Sequence, residues 1–149
     1  MTRPLIVAFM LLSAATVIMT QVVTVDLSEN RVQYDAPVEL TVNGWLELLL
    51  VEYPATGYTW QILDADMKQN GLETILKFYG YSIKHEENTE GVTVGSRGNK
   101  SLEFQVIGPG TGLLHVFYGR SWEIQAKIDA GEDLTSYIHK IIPINVTTA

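Results

Sequence analysis

The chain reads as an all-β protein, an immunoglobulin-like antiparallel β-sandwich preceded by an N-terminal signal segment. Three observations predict this. Beyond the first twenty or so residues, apolar and polar side chains alternate with period two in run after run, and helical periodicity does not recur. Turn-forming clusters separate those runs roughly every ten residues, the spacing of a sandwich of short strands. With 149 residues, 46% of them hydrophobic and 18% charged, the chain suits one domain with a substantial core and excludes a disordered tail or a low-complexity linker. Cysteine is absent, so apolar burial and backbone hydrogen bonding must hold the fold without disulfides.

In chain order, Arg3, the apolar run Leu5 to Leu12 and the small residues Ser13-Ala14-Ala15 have the shape of a secretory signal. Residues 1–15 are therefore assigned to a signal peptide, with a boundary that extends to about 20, and residues 22–147 to the mature domain. The apolar stretch resumes at Val17, Ile18 and Met19, yet Leu5 to Met19 is short for a membrane span of roughly 20 residues. The expectation is export to a secreted, periplasmic or vesicular destination, with no integral span after cleavage and membrane anchoring if the signal stays.

The first strand is expected over Val22 to Leu27, and a second where Val38, Leu40 and Val42 alternate with Glu39 and Thr41. Trp45 to Val51 is apolar on both faces, as in a central strand covered from two sides. Tyr58, Trp60 and Ile62 share one side of their run, which places Trp60 to fill the core. The polar stretch Asp64 to Thr74 has room for one helical turn. Further strands are expected over 76–84, 100–106, 112–118 and 137–146. Pro143 cannot donate to a ladder, so the last strand should lie at an edge or break there. Asn43-Gly44, Pro54 to Gly57 and Gly108 to Gly112 mark the turns.

Charge and motifs exclude several function classes. A net charge of -7 repels phosphate backbones, so nucleic acid is not an expected partner. Ser121 lacks the second glycine of a nucleophile elbow, and Gly95 to Lys100 has the wrong spacing for a phosphate loop. His85, His115 and His139 lie far apart in sequence, and His115, in an apolar strand, reads as a packed histidine. Asp64, Asp66, Asn70 and Gly71 hint at a calcium loop, but Ile75 stands where the bidentate glutamate is required. No catalytic residue, cofactor or metal is expected. Asn99-Lys100-Ser101 and Asn145-Val146-Thr147 are glycosylation sequons, meaningful only in a host that glycosylates exported proteins.

If the strands run up and down, the connections Tyr53 to Gly57, His85 to Asn99 and Gly119 to Ser136 emerge together at one end. The first holds a Pro-rigidified turn, the second a glycine-bearing stretch, and the third Arg120 and Trp122, residue types that dominate binding hot spots. The ordered set Tyr53-Pro54-Ala55-Thr56-Gly57-Tyr58, Gly95-Ser96-Arg97-Gly98 and Arg120-Ser121-Trp122 resembles the chagasin-like inhibitors of papain-family cysteine proteases. That family carries Asn-Pro-Thr-Thr-Gly-aromatic, Gly-x-Gly-Gly and Arg-Pro-Trp in the same order, and the resemblance runs from about Val22 to Val146.

The resemblance implies a tight-binding, reversible inhibitor whose three loops plug the protease cleft without covalent chemistry. Pro54, Ala55, Thr56, Gly57 and Tyr58 would sit at the catalytic centre, Gly95, Ser96, Arg97 and Gly98 on one flank, and Arg120, Ser121 and Trp122 on the other. A monomer suffices, and a papain-family cysteine protease is the implied partner. Tyr53, Ala55, Arg97 and Ser121 depart from the family pattern and bear on affinity and target preference. Two other classes fit the same loops less closely: an immunoglobulin-like adhesion or carbohydrate-binding module, and an enzyme with carboxylate chemistry.

Overall fold

A computed structural model describes residues 20–85 and 97–148. The signal segment 1–15, together with Gly95 and Ser96, lies outside these residues. Two four-stranded sheets face one another. One has the order β1 (Val22–Asp26), β3 (Trp45–Glu52), β6 (Gly98–Val106), β5 (Leu76–His85); the other has β2 (Val38–Thr41), β8 (Ile138–Thr147), β7 (Gly110–Arg120), β4 (Tyr58–Gln61). Helix α1 (Asp64–Gln69) follows β4, and helix α2 (Ser121–Asp129) follows β7.

The sandwich and its strands agree with the sequence reading, but the connectivity is not up and down. The chain passes from one sheet to the other after β1, β2, β3, β4 and β6, and only β5–β6 and β7–β8 are sequential neighbours within a sheet. Two of the returns place a strand beside one running the same way: β3 beside β1 and, at the end of the chain, β8 beside β2. The β1–β3 and β2–β8 ladders are therefore parallel, whereas β3–β6, β5–β6, β4–β7 and β7–β8 are antiparallel.

Alternation decides which face each strand buries. Leu46, Leu48 and Leu50 of β3 point inward and meet Leu102, Phe104 and Val106 of β6 and Leu114, Val116, Ile142, Ile144 and Val146 of the other sheet. Each fully buried leucine contributes roughly 1.5–3 kcal/mol. The opposite face of β3, with Trp45, Glu47, Leu49 and Val51, is only half-buried, so this strand is covered on one face and not on two. Its apolar outer residues sit between the β1 and β6 neighbours, and among the described residues no third sheet lies above them.

Pro143 lies in an interior strand, contrary to the expectation of an edge or a break. Ile141 and Thr147 direct their backbone groups toward the Gln33 and β2 side, where Ile141 pairs with Val32 and Tyr34, and Thr147 accepts from Val42. By alternation the Pro143 nitrogen faces that side too. It falls between the isolated Gln33–Ile141 bridge and the first β2 pair, Val38–Ile144, where no ladder bond is needed.

Candidate functional site

Strand registers bring the first and third sequence-predicted segments, and the described end of the second at Arg97 and Gly98, to one end of the sandwich. Glu52 at the end of β3 pairs with Gly98 at the start of β6, and Gly98 pairs with His85 at the end of β5. In the other sheet Tyr58, opening β4, pairs with Arg120, closing β7. The segment Tyr53 to Gly57 joins the two sheets across this rim. Crossovers, not a meander, produce the arrangement.

The first segment is a tight 3-10 turn, Pro54–Thr56. Pro54 presets its backbone at the first helical position. Thr56 Oγ1 donates to the Tyr53 carbonyl at 2.8 Å and accepts from the Tyr58 N–H at 3.3 Å, so its hydroxyl pins the turn internally. Gly57 closes the turn with φ +77, and a Cβ there would stand 2.8 Å from Cη2 of Trp122. Tyr53, Pro54, Ala55, Thr56 and Tyr58 are exposed.

The third segment is not a loop. Arg120 ends β7, Ser121 opens α2, and Trp122 stands in that helix's first turn with 61% of its surface exposed. The expectation of a chain without helical periodicity fails here. The apolar residues Trp122, Ile124, Ala126 and Ile128 fall at every second position and mimic a strand, while only Ile124 is buried. Gly131, with φ +67, ends the helix: its N–H bonds the Ile128 carbonyl at 3.0 Å, and the Glu132 N–H bonds that of Lys127 at 2.9 Å.

Arg120 clamps the first and third segments together. Its Nε donates to the Thr56 carbonyl at 3.4 Å, its guanidinium lies 4.7 Å from the Tyr58 ring centre, and Nη1 reaches Glu123 Oε1 at 3.3 Å. Two of its five donors are thus engaged within the chain. Of the second segment, Arg97 is exposed while Gly98 is buried inside β6, so Gly98 serves as strand and not as loop. Arg97 joins Tyr53, Trp60, Tyr118, His139 and Lys140 around a cleft of about 550 Å³ beside the rim.

Beneath the turn lies a buried charge pair that the sequence reading missed. Glu52 and Lys100 have side chains only 2% and 5% exposed, with Nζ 3.6 Å from Oε1. Lys100 donates to Thr59 Oγ1 at 2.6 Å, and Glu52 Oε1 accepts the Trp60 N–H at 3.1 Å. Trp60 Nε1 donates to the Val51 carbonyl at 2.7 Å, and its ring stacks 4.5 Å from that of Tyr118. Burial holds the Lys100 ammonium below its ordinary pKa, an effect that Glu52 partly offsets. Burial, reinforced by Glu52, raises the Tyr118 phenol. A signal for the pair was present: Lys100 continues the inward alternation of Leu102, Phe104 and Val106, where a charge requires a partner.

His115 contacts Asp66 of α1 at 3.1 Å and Asn70, which caps that helix, at 3.2 Å, so it is a paired, half-buried histidine that ties α1 to β7. Among the described residues no group of three potential ligands forms a metal site.

Residues 39–135 match the chagasin family peptidase inhibitor I42. The chain belongs to the chagasin family. Membership makes it a peptidase inhibitor rather than an enzyme. Among solved structures, the cysteine protease inhibitor EhICP2 from Entamoeba histolytica is similar at 17% identity, covering 86% of this chain and 96% of its own, with a TM-score of 0.53. Amebosin is 16% identical over 83% of this chain and 96% of its own, with a TM-score of 0.47. PbICP-C, solved in complex with falcipain-2, is 17% identical over 87% and 99%, with a TM-score of 0.43. The likeness to EhICP2 is one of fold. No curated protein sequence matches. In this chagasin-family inhibitor, the family match spans the turn at Pro54–Thr56, Arg97 and the α2 tryptophan.

Proposed function

We propose that this inhibitor blocks papain-family cysteine proteases by inserting the rim formed by the Pro54–Thr56 turn, the β5–β6 connection and the start of α2 into the active-site cleft. The observation that carries the reading is the joint placement of an exposed, internally pinned turn and an exposed Trp122 locked against each other through Gly57 and Arg120. A rigid turn loses little conformational entropy on docking, and Trp122 brings large apolar area with few rotors. Pro54, Ala55, Thr56, Gly57 and Tyr58 would face the catalytic cysteine, Gly95, Ser96, Arg97 and Gly98 one flank, and Arg120, Ser121 and Trp122 the other.

The turn is not cut because its bonds are held out of line with the nucleophile, away from near-attack geometry. An interface of about 800 Å² per partner is sufficient for nanomolar affinity. The working form is an exported monomer, released by removal of residues 1–15. Titration of purified mature protein against papain and a cathepsin L-like enzyme tests the reading. Stoichiometric, reversible inhibition with the inhibitor recovered intact is expected; full protease activity at micromolar inhibitor overturns it. A parallel glycan screen separates the adhesion-module alternative.

A further inference from the structure

We propose that the buried Glu52–Lys100 pair is the positioning element of the inhibitory rim, fixing the Pro54–Thr56 turn relative to the end of β5 and the start of β6. This rests on the inhibitor reading above and names the residues that make the rim rigid, although neither touches the protease.

The geometry is specific to the junction. β3 and β4 belong to different sheets and share no ladder, so ordinary strand pairing does not hold the two stems of the turn together. Glu52 Oε1 bridges that gap by accepting the backbone N–H of Trp60, a donor on the free edge of β4. Lys100 bridges it a second time, bonding Thr59 Oγ1 at 2.6 Å while lying 3.6 Å from Glu52. Lys100 also stands two residues beyond Gly98, on the stem of the second connection, and its ammonium sits 4.3 Å from the ring centre of Tyr81 on β5. One cation thus gathers β3, β4, β5 and β6, the stems of both segments.

Replacing a buried ion pair by a hydrophobic pair of similar volume is often neutral or stabilising. Stability alone therefore does not explain an ion pair here. Directional bonds to the edge of β4 set a register, which apolar contact does not. Without them the turn keeps its internal bonds but samples more than one placement over the rim. Only the fraction in the competent placement then binds, which weakens apparent affinity in proportion.

The test compares Lys100→Met, the paired Glu52→Leu/Lys100→Met variant, which removes both directional bonds to β4, and a core control, Ile144→Val, all in the full mature chain. Inhibition of papain is read together with amide chemical shifts of Thr56 and Gly57 in the free protein. Positioning predicts that Lys100→Met and the paired variant raise the inhibition constant by about tenfold or more and shift both loop amides, with far-strand amides unmoved. Ile144→Val, which loses stability without touching the rim, leaves both readouts at wild-type values. If Lys100→Met does not fold, the paired variant carries the test, since it leaves no lone buried charge. Folded variants with wild-type loop shifts and inhibition within twofold overturn the proposal. Wild-type protein inert toward papain overturns the inhibitor reading instead, and the amide shifts then decide the positioning role alone.

Discussion

At the residue scale, the rim depends on Gly57 for two separate reasons. Its φ of +77 disfavours any side chain, and the space a Cβ would take is occupied by the Trp122 ring at 2.8 Å. Gly57→Ala is expected to cost about 1–2 kcal/mol in the left-handed conformation, and to push Trp122 off the turn. Thermal unfolding and papain titration check this: a lower melting temperature and a weaker inhibition constant should appear together. Two buried lysines set a second residue-scale expectation. Burial lowers the pKa values of Lys100 and Lys140 from the ordinary 10.5, so the unfolded chain binds more protons than the native one just below that value. Stability therefore rises with pH across that window as the native lysines shed the proton that burial penalises. Tyr34 and Tyr118, raised above 10.0, oppose this only at higher pH, where the unfolded phenols ionise first. Urea unfolding in the alkaline range below 10 should show a positive slope of stability with pH, and the slope should shrink in Lys100→Met.

At the scale of elements, β8 shows how a proline sits inside a sheet. Its nitrogen faces the gap between the Gln33 bridge and β2, so Pro143→Ala breaks no ladder bond and loses only the restraint that proline places on the unfolded chain. A loss of less than about 1 kcal/mol is expected in chemical denaturation, whereas a value several times larger would mean that the ring packs as part of the core. Pro143 also shows the limit of strand reading: the missing donor is visible in the sequence, but which neighbour it faces depends on a register set far away. Most strands were legible because alternation is a local signal, β3 because of its continuous apolar run, although its two faces were misjudged, and the 53–57 turn because Pro54 and Gly57 have local conformational effects. The α2 helix was not, since its apolar residues alternate like those of a strand and only Gly131 and the acid-to-base order from Glu123 to Lys127 mark it. The parallel ladders were hidden because they depend on crossings between sheets, and no local pattern encodes which strand the chain returns beside. Lys100 is marked locally as an inward charge, but its partner Glu52 follows only from the β3–β6 register, set by residues about fifty positions apart.

At the scale of the molecule, the sandwich brings two distant segments into a single contact surface. The first turn leaves one sheet and enters the other, while Trp122 rises from the end of β7 at the same rim. Arg120 bonds the Thr56 carbonyl, and the Trp122 ring fills the space over Gly57, so the two segments should dock as one body. That has a measurable thermodynamic consequence. Trp122→Ala alone is expected to weaken inhibition by about 1 kcal/mol or more, since an exposed aromatic anchor is removed. Gly57→Ala alone already displaces the same ring, so much of the Trp122 contribution is lost in it too. In a double-mutant cycle the combined variant should therefore fall short of the sum of the single effects by more than about 0.5 kcal/mol. Two independent contacts would instead add within about 0.3–0.5 kcal/mol, the behaviour of sites that share no partner. Inhibition constants for the four proteins against one protease, at matched ionic strength and well below every melting temperature, decide between a coupled wedge and two loops that merely share an end.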